Sequence, residues 1–505
     1  MTKEQESPRQ IKARELVEAG VTLYPHRWGG WENRVSAAVA NSYGTSLKEE
    51  EKTDKQVQVA GRVMQTRVMG KAAFFHILDD GVKLQLYLKR DVMDEHDKEG
   101  TYNLFKKRIH TGDFIGVTGT IFKTKTGEIT VEVHKLTLLS KALRELPEKW
   151  HGLKDTDTRY RKRHLDLIAN PDVRNVFVTR SKLLSSIRKT CESLGFLEVE
   201  TPILLHQAGG ATARPFETRH NALGTNLVMR IATELPLKKL IIGGYPGVYE
   251  IGRIFRNEGI DTTHNPEFTT LEAYQAYTDY NGMSAFFEKV MTDATDSLGI
   301  DTITYKDQQI SLTPPYKRAF MPELWKEHCG EDIHEVLEGK GFNRDGLLAL
   351  AKKLEIGGVA GAPDAKIFDR IFEAKIEPLL IHPTFVFDHP TAITPLAKCK
   401  ENADGSIDES ICERFELFVA GMELANAYTE LNDPIDQRER FAEQAKQKDG
   451  GHDEAELLDE EFLEAMEQGM PPTGGIGFGI DRLVMLLTGN PSIREVILFP
   501  TLKPE

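Results

Sequence analysis

The chain has 505 residues, 40% hydrophobic and 28% charged, with 64 Lys+Arg against 78 Asp+Glu for a formal net charge of −14. That length exceeds one ordinary core, so two or three domains are expected, and near-average apolar and charged fractions exclude a wholly disordered or collagen-like chain. No run approaches the roughly 20 apolar residues of a membrane span. The N-terminal MTKEQESPRQIKAR lacks the apolar stretch of a signal or transit peptide. Cys191, Cys329, Cys399 and Cys412 show no C-x-x-C spacing, so neither structural zinc nor a disulfide scaffold is expected, and the default address is the cytoplasm.

In chain order, residues 1–30 read as a short helix ending near Gly20. Ser46 to Gln56 reads as a solvated linker, closing an N-terminal appendage over 1–55. From Val57 the period changes to two. Val57–Val63, Ala73–Leu78, Lys83–Leu88, Asp113–Phe122 and Glu128–Val133 are short β-rich runs separated by glycine turns, with one helical stretch at Asp91–Ile109. Five strands over 56–142 predict a small closed β domain of a kind that often binds oligonucleotides. Residues 1–150 hold 25 basic and 21 acidic side chains, net +4; the remainder holds 39 and 57, net −18. A basic front on an acidic body suggests an anionic partner. Lys71, Lys83, Lys89, Arg90, Lys123 and Lys125 flank the strands, with Phe74, Phe75 and Tyr87 among them. Single-stranded nucleic acid needs that mixture, since bases stack while phosphates pair.

Residues 143–165 read as a polar, basic hinge into a second domain over 166–505. An amphipathic helix (Val173–Gly195) follows, then Phe196–Pro202. Residues 281–380 read as an irregular helical insertion, 381–434 return to strand patterns, and Ala455–Gln468 reads as an acidic solvated helix.

Three segments carry chemistry. In Val248–Tyr277, two alternating runs flank a polar loop from Gly259 to Pro266, an antiparallel strand–loop–strand. Phe268, Thr270, Glu272 and Tyr274 share one face of the second strand; Glu250, Arg256 and Glu258 share parity on the first. Burying those charges unpaired costs several kcal/mol, so that face should line a wet, ligand-filled site. In Leu424–Glu430, Asn426, Tyr428 and Glu430 alternate with small or apolar residues, while Glu416 and Glu423 sit seven apart. From spacing alone that pair reads as two solvated acids. Third, Gly474-Gly475-Ile476-Gly477-Phe478-Gly479 leaves one strand face bare for close approach, and Arg482 follows on the first turn of a helix. A dinucleotide-binding reading of these glycines fails because no βαβ unit follows.

Together these pieces resemble the class II aminoacyl-tRNA synthetases, and within them the lysyl-tRNA synthetases. Phe196–Pro202 looks like the first motif of that class, FRNEGI…THNPEFT the second and GIGFGIDRL the third; RYRKRHLDLI and ANAYTELNDPIDQRERF are specific to the lysyl enzymes. GIDTTHNPEFTT and PTFVFDHP look closer to their eukaryotic branch. The resemblance implies an α+β fold: an N-terminal OB-fold β-barrel, then a class II catalytic domain on an antiparallel β-sheet flanked by helices. It implies L-lysine, ATP, Mg2+ and tRNA(Lys) as ligands, and a homodimer through Phe196–Pro202. Arg256 and Arg482 would serve catalysis. Arg256, Glu258, His264, Asn265, Phe268, Glu416 and Arg482 would bind ATP, with Phe268 and Arg482 on opposite faces of adenine. Gly210, Glu234, Arg256, Glu272, Tyr274, Asn426, Tyr428 and Glu430 would bind lysine, and Glu416 with Glu423 would hold Mg2+. Arg67, Phe74, Gln85 and Glu128 would read the anticodon. The sequence departs from the family where Gln207-Ala208-Gly209-Gly210 lacks a preceding proline, where Pro236 is displaced in Thr233-Glu234-Leu235-Pro236, and in having no long polybasic N-terminal helix. The alternatives are an aspartyl- or asparaginyl-tRNA synthetase, whose slot wants a cation where Tyr274 and Glu430 stand, and a non-catalytic tRNA-binding or signalling paralogue, which Arg256, Glu258, Glu416, Glu423 and Arg482 argue against.

Overall fold

The computed structural model describes residues 6–29, 31–98, 100–147, 153–211, 213–305, 307–449 and 459–504, in two compact units that divide between Arg174 and Asn175.

In the first unit, β1 (Lys52–Met69), β2 (Ala72–Asp79), β3 (Val82–Lys89), β4 (Phe114–Lys123) and β5 (Ile129–Ser140) close a barrel in the order β1–β2–β3–β5–β4. Only the β3–β5 pairing is parallel. Period-two alternation turns Val57, Val59, Phe75, Ile77, Leu86 and Val131 into the core. Phe75 is therefore packing rather than a stacking platform, while Phe74 and Tyr87 lie half-buried with ring centroids 4.8 Å apart. At Gly119 a Cβ would lie 2.0 Å from the Glu132 carbonyl oxygen, so only glycine lets β4 and β5 meet there.

Three expectations change in this unit. The strand begins inside the expected linker, because Lys52 already pairs with Phe122 and its ammonium holds Glu132 at 2.9 Å. The helical stretch is two helices, Arg90–His96 and Thr101–Phe105, whose Met93, Tyr102 and Phe105 are buried in the barrel core. The appendage also packs on that core: Leu16 of the Ser7-capped helix Pro8–Glu18, and Ala37 and Ala40 of a further helix, Ala37–Tyr43, are wholly buried. Of the expected hinge, residues 148–152 lie outside the described residues; the rest includes the helices Thr156–Arg161 and Arg163–Ala169, with Arg163 and Asp166 paired at 2.6 Å and neither exposed.

The second unit is built on one sheet. Its strands are β6 (Leu197–Glu198), β7 (Gly247–Phe255), β8 (Glu267–Ala276), β9 (Lys317–Phe320), β10 (Thr384–Pro390), β11 (Cys399–Glu401), β12 (Ile407–Val419), β13 (Met422–Thr429) and β14 (Thr473–Gly479). The order is β9–β10–β12–β13–β14–β8–β7–β6, with β11 beside β12. Pairing is antiparallel except at the two ends, β9–β10 and β7–β6. Helix Tyr280–Leu298 buries Met283, Phe286, Phe287, Val290 and Ala294, a 3.6-period stripe, in the same core as Leu271, Ala273, Ala425, Ala427, Ile476 and Phe478. The alternate residues of those strands face the other way, and there the site forms.

The insertion expected at 281–380 is smaller than that. Tyr280–Leu298 belongs to the main core and β9 to the main sheet; the separate helical cluster is Met321–Cys329, Arg344–Lys353 and Asp364–Lys375, around Trp325, Ile367 and Phe368. Of the expected acidic helix, 455–458 lie outside the described residues. Glu460–Met466 is helical and is not solvated all round, since Phe462, Leu463 and Met466 are buried with Leu235, Leu396 and Phe441.

Candidate functional site

Antiparallel register aligns same-face residues into rows across the sheet. One row runs Glu272–Gly477–Asn426–Glu416, the next Tyr274–Gly475–Tyr428–Arg414. The glycines sit in the middle of both rows. A Cβ on Gly475 would lie 1.9 Å from Glu430 Oε1 and 2.5 Å from the Tyr274 ring. The bare centre and its flanks form a cavity of about 420 Å3 lined by Gly210, Glu234, Arg256, Glu258, His264, Asn265, Phe268, Glu272, Tyr274, Glu423, Asn426, Tyr428, Glu430 and Arg482.

At one end of the lining stand three carboxylates. Glu430 and Glu234 are 1% and 5% exposed. Oε1 of Glu430 has no hydrogen-bond partner, and its other oxygen pairs with the ammonium of Lys238. Glu234 accepts from Lys238 Nζ at 2.5 Å and from the Tyr428 hydroxyl at 2.7 Å. Glu272 accepts from Thr233 N at 3.1 Å and from the Tyr274 hydroxyl at 3.3 Å. Burial first, and the nearby charge of Glu234 second, push the Glu272 carboxyl up to about 7.

Beyond them stand the arginines. Arg256 lies over the Phe268 ring, 5.3 Å from its centroid. Burial pulls its pKa below the usual guanidinium value, while Glu258, Glu272 and Glu423 pull the other way. Arg482 donates to the Glu423 carbonyl oxygen at 2.8 Å, and its guanidinium reaches that carboxylate at 3.6 Å and His264 Nε2 at 3.5 Å. Its helix, Ile480–Thr488, is fixed by Asp481, which accepts from Arg180 at 2.6 Å and from Thr269 N at 2.7 Å.

Two expected residues lie elsewhere. Glu250 shares the face of Glu272 by register but is outside the lining: Arg230 reaches it at 2.6 Å, and Thr201 donates to it through both N and Oγ1. Glu416 borders an adjoining cleft of about 1060 Å3, which Glu423 shares. Burial first and the charge of Glu416 second push the Glu423 carboxyl up. Among the described residues no three His, Cys, Asp or Glu side chains gather into a metal cage. Two hard oxygen donors with nothing further suit Mg2+, which takes one or two carboxylates and completes its shell with phosphate oxygens and water.

Sequence reasoning missed Lys238 and Arg414. Arg414 donates to Asn426 Oδ1 at 3.0 Å, Glu416 at 2.5 Å and Thr394 Oγ1 at 2.6 Å, which orients Asn426 and Glu416. For Lys238 the signal was present: it follows Glu234 by four in an apolar helix, Glu234–Ile242. The displaced Pro236 costs that helix nothing, since it sits in the first turn, where N–H groups have no intrahelical partner.

On the barrel, Gln85 donates to Glu128 at 2.5 Å and accepts from Thr130 Oγ1 at 2.8 Å, while His76 Nε2 meets Glu128 at 3.0 Å. Phe74 and Tyr87 pair across β2 and β3 beside them, and exposed Arg67 lies opposite Phe74 on β1. Arg67, Phe74 and Gln85 thus sit on β1, β2 and β3, with Glu128 just before β5 and His76 added.

Comparison with known proteins adds two family matches. Residues 155–503 match the model of tRNA synthetases class II (D, K and N), and 57–139 match the OB-fold nucleic acid binding domain. The lysine–tRNA ligase of Moorella thermoacetica is 49% identical over 98% of this chain and 96% of its own length. That of Enterococcus faecalis is 48% identical over 98% and 96%, and that of Aquifex aeolicus 51% over 89% and 74%. These relatives are bacterial and lend no support to the expected eukaryotic leaning. Among the described residues no helix is long and apolar enough to cross a membrane.

Proposed function

The chain belongs to the class II tRNA synthetases and, among them, to the lysine–tRNA ligases, and from that premise we propose that the cavity activates L-lysine with ATP and hands the lysyl group to the 3′ end of tRNA(Lys). The observation that carries the lysine assignment is Glu430: a buried carboxylate at the slot's end with one oxygen unpartnered. A buried acceptor of that kind favours an ammonium and penalises an apolar side chain, which leaves it unpaired.

In this reading the ε-ammonium meets Glu430 beside Tyr274, and Tyr428 walls the methylene chain. Gly210 and Glu234 take the α-ammonium, Glu272 adds charge beneath it, and Asn426 with Arg256 takes the carboxylate. Phe268 and Arg482 hold adenine between a ring and a guanidinium plane. Glu258, His264 and Asn265 hold the rest of the nucleotide. The lysine carboxylate attacks the α-phosphorus; an O–P bond forms, the bond to pyrophosphate breaks, and Arg256 meets the charge that builds on the phosphoryl oxygens. No side chain acts as nucleophile, so positioning and charge carry the rate. Mg2+, held by Glu416 and Glu423, would neutralise phosphate charge. In the second step the terminal ribose hydroxyl of tRNA attacks the lysyl carbonyl and AMP leaves.

The barrel reads the anticodon through Arg67, Phe74, Gln85 and Glu128. The working unit is a cytoplasmic homodimer, supported by edge strand β6 with its exposed Leu197 and by the exposed Ile203 and Leu204 that follow in the chain. ATP–pyrophosphate exchange across amino acids tests the slot: exchange with lysine and not aspartate is expected, and the converse overturns the assignment.

A further inference from the structure

Lys238 is wholly buried, and its ammonium joins two carboxylates from different elements: Glu234, one turn back on its own helix, and Glu430, just past the end of β13. It lies 5.6 Å from the Tyr428 ring centroid and 6.0 Å from that of Phe462. Stability alone explains this poorly, because a buried ion pair is often matched by apolar residues of similar volume. The position is more informative. Both partners line the cavity, and Lys238 occupies one oxygen of Glu430 while the other, buried beside Gly475, has no hydrogen-bond partner.

We propose that Lys238 is a specificity-determining positioning residue: a resident ammonium that ties Glu234 to Glu430 and leaves Glu430 Oε1 as the acceptor for an incoming cation. This rests on the reading of the cavity as a lysine slot. The charges fit it. Glu234, Glu272 and Glu430 set three carboxyl groups against the one ammonium of Lys238, and the two ammonium groups of a lysine substrate complement the remainder. The other groups facing this cluster are the hydroxyls of Tyr274 on β8 and Tyr428 on β13, which burial and the same acids keep neutral, with Arg256 and Arg414 further along the slot. Burial pulls the Lys238 pKa down, and Glu234 and Glu430 more than reverse it, so the ammonium persists. Without it, burial and the neighbouring Glu234 and Glu272, which push the Glu430 carboxyl up, act with no ammonium to oppose them. A protonated Glu430 loses little when an apolar chain lies against it, so discrimination falls.

The test compares the intact enzyme with Lys238→Met and Lys238→Arg in ATP–pyrophosphate exchange, using L-lysine and L-norleucine, which has lysine's chain without the ε-ammonium. Lys238→Met should raise KM for lysine about 100-fold, steepen its rise toward low pH and narrow the lysine-to-norleucine ratio of kcat/KM at least about tenfold, with KM for ATP unmoved. Lys238→Arg, which keeps the cation, should hold that ratio within about threefold. If Lys238→Met does not fold, Lys238→Gln against Lys238→Arg answers the same question, equal ratios overturning the proposal. A folded Lys238→Met enzyme with unchanged lysine KM, pH profile and ratio overturns it too. Failure of the unaltered enzyme to exchange with lysine would instead remove the slot reading itself.

Discussion

The barrel face and the catalytic slot draw on the same side-chain types and arrange them oppositely. On the barrel, Glu128 is exposed and its two oxygens already serve Gln85 and His76. In the slot, Glu430 is 1% exposed with one oxygen unpartnered, and Glu272 is pushed to about 7. An exposed carboxylate such as Glu128 can trade partners with a base edge at small cost, so in the proposed reading the barrel contributes graded affinity. A buried slot cannot trade as cheaply, because each group left unpaired costs its desolvation. The difference predicts that changes in the slot act on chemistry and amino-acid selection, while changes on the barrel act on tRNA alone.

Four measurements press on that contrast, the largest effect first. Arg256→Ala should lower the exchange rate at saturating substrates by about 10²–10³, since it removes charge aimed at the developing phosphoryl transition state; an unchanged rate removes Arg256 from the mechanism. Gly475→Ala drives a methyl into Glu430 and Tyr274. Overpacking of about 1–3 kcal/mol should raise KM for lysine roughly 10- to 100-fold and leave KM for ATP unaltered. The third is pH. A substrate ammonium favours ionised Glu272, so below about 7 binding must first displace its proton. KM for lysine should be flat above that point and rise by about tenfold per unit of acid below it; a flat profile from pH 8 to 5.5 would sink the role of Glu272. Last, Phe74→Ala should raise KM for tRNA by about tenfold, within the 1–3 kcal/mol of a stacked base, with exchange unaffected. A matching loss of exchange would break the proposed division of labour.

Much of the slot was legible because a strand repeats every two residues. Phe268, Thr270, Glu272 and Tyr274 could be placed on one face, as could Asn426 and Tyr428, and alternate glycines announced a bare strip between them. What was illegible depends on partners distant in sequence. Glu250 has the right parity, yet Arg230, 20 residues earlier, claims it. Arg414 and Glu416 join their rows only through hairpin register. Strand β9 hides inside an apparent insertion because its parallel partner, β10, begins 67 residues further on. The first turns of β1 look like a linker because their side chains are mostly exposed, and only the ladder to β4 makes them strand. Exposure erases the apolar signal that periodicity needs.

The glycines of β14 carry a last consequence, for how such a site can evolve. The space at 475 exists because a hydrogen stands where any other residue brings a carbon into Glu430 and Tyr274. Every point mutation of that codon that alters the residue fills the slot, and none enlarges it. Drift at this strand therefore runs toward closure, and any widening of the cavity must begin from another of the side chains that line it.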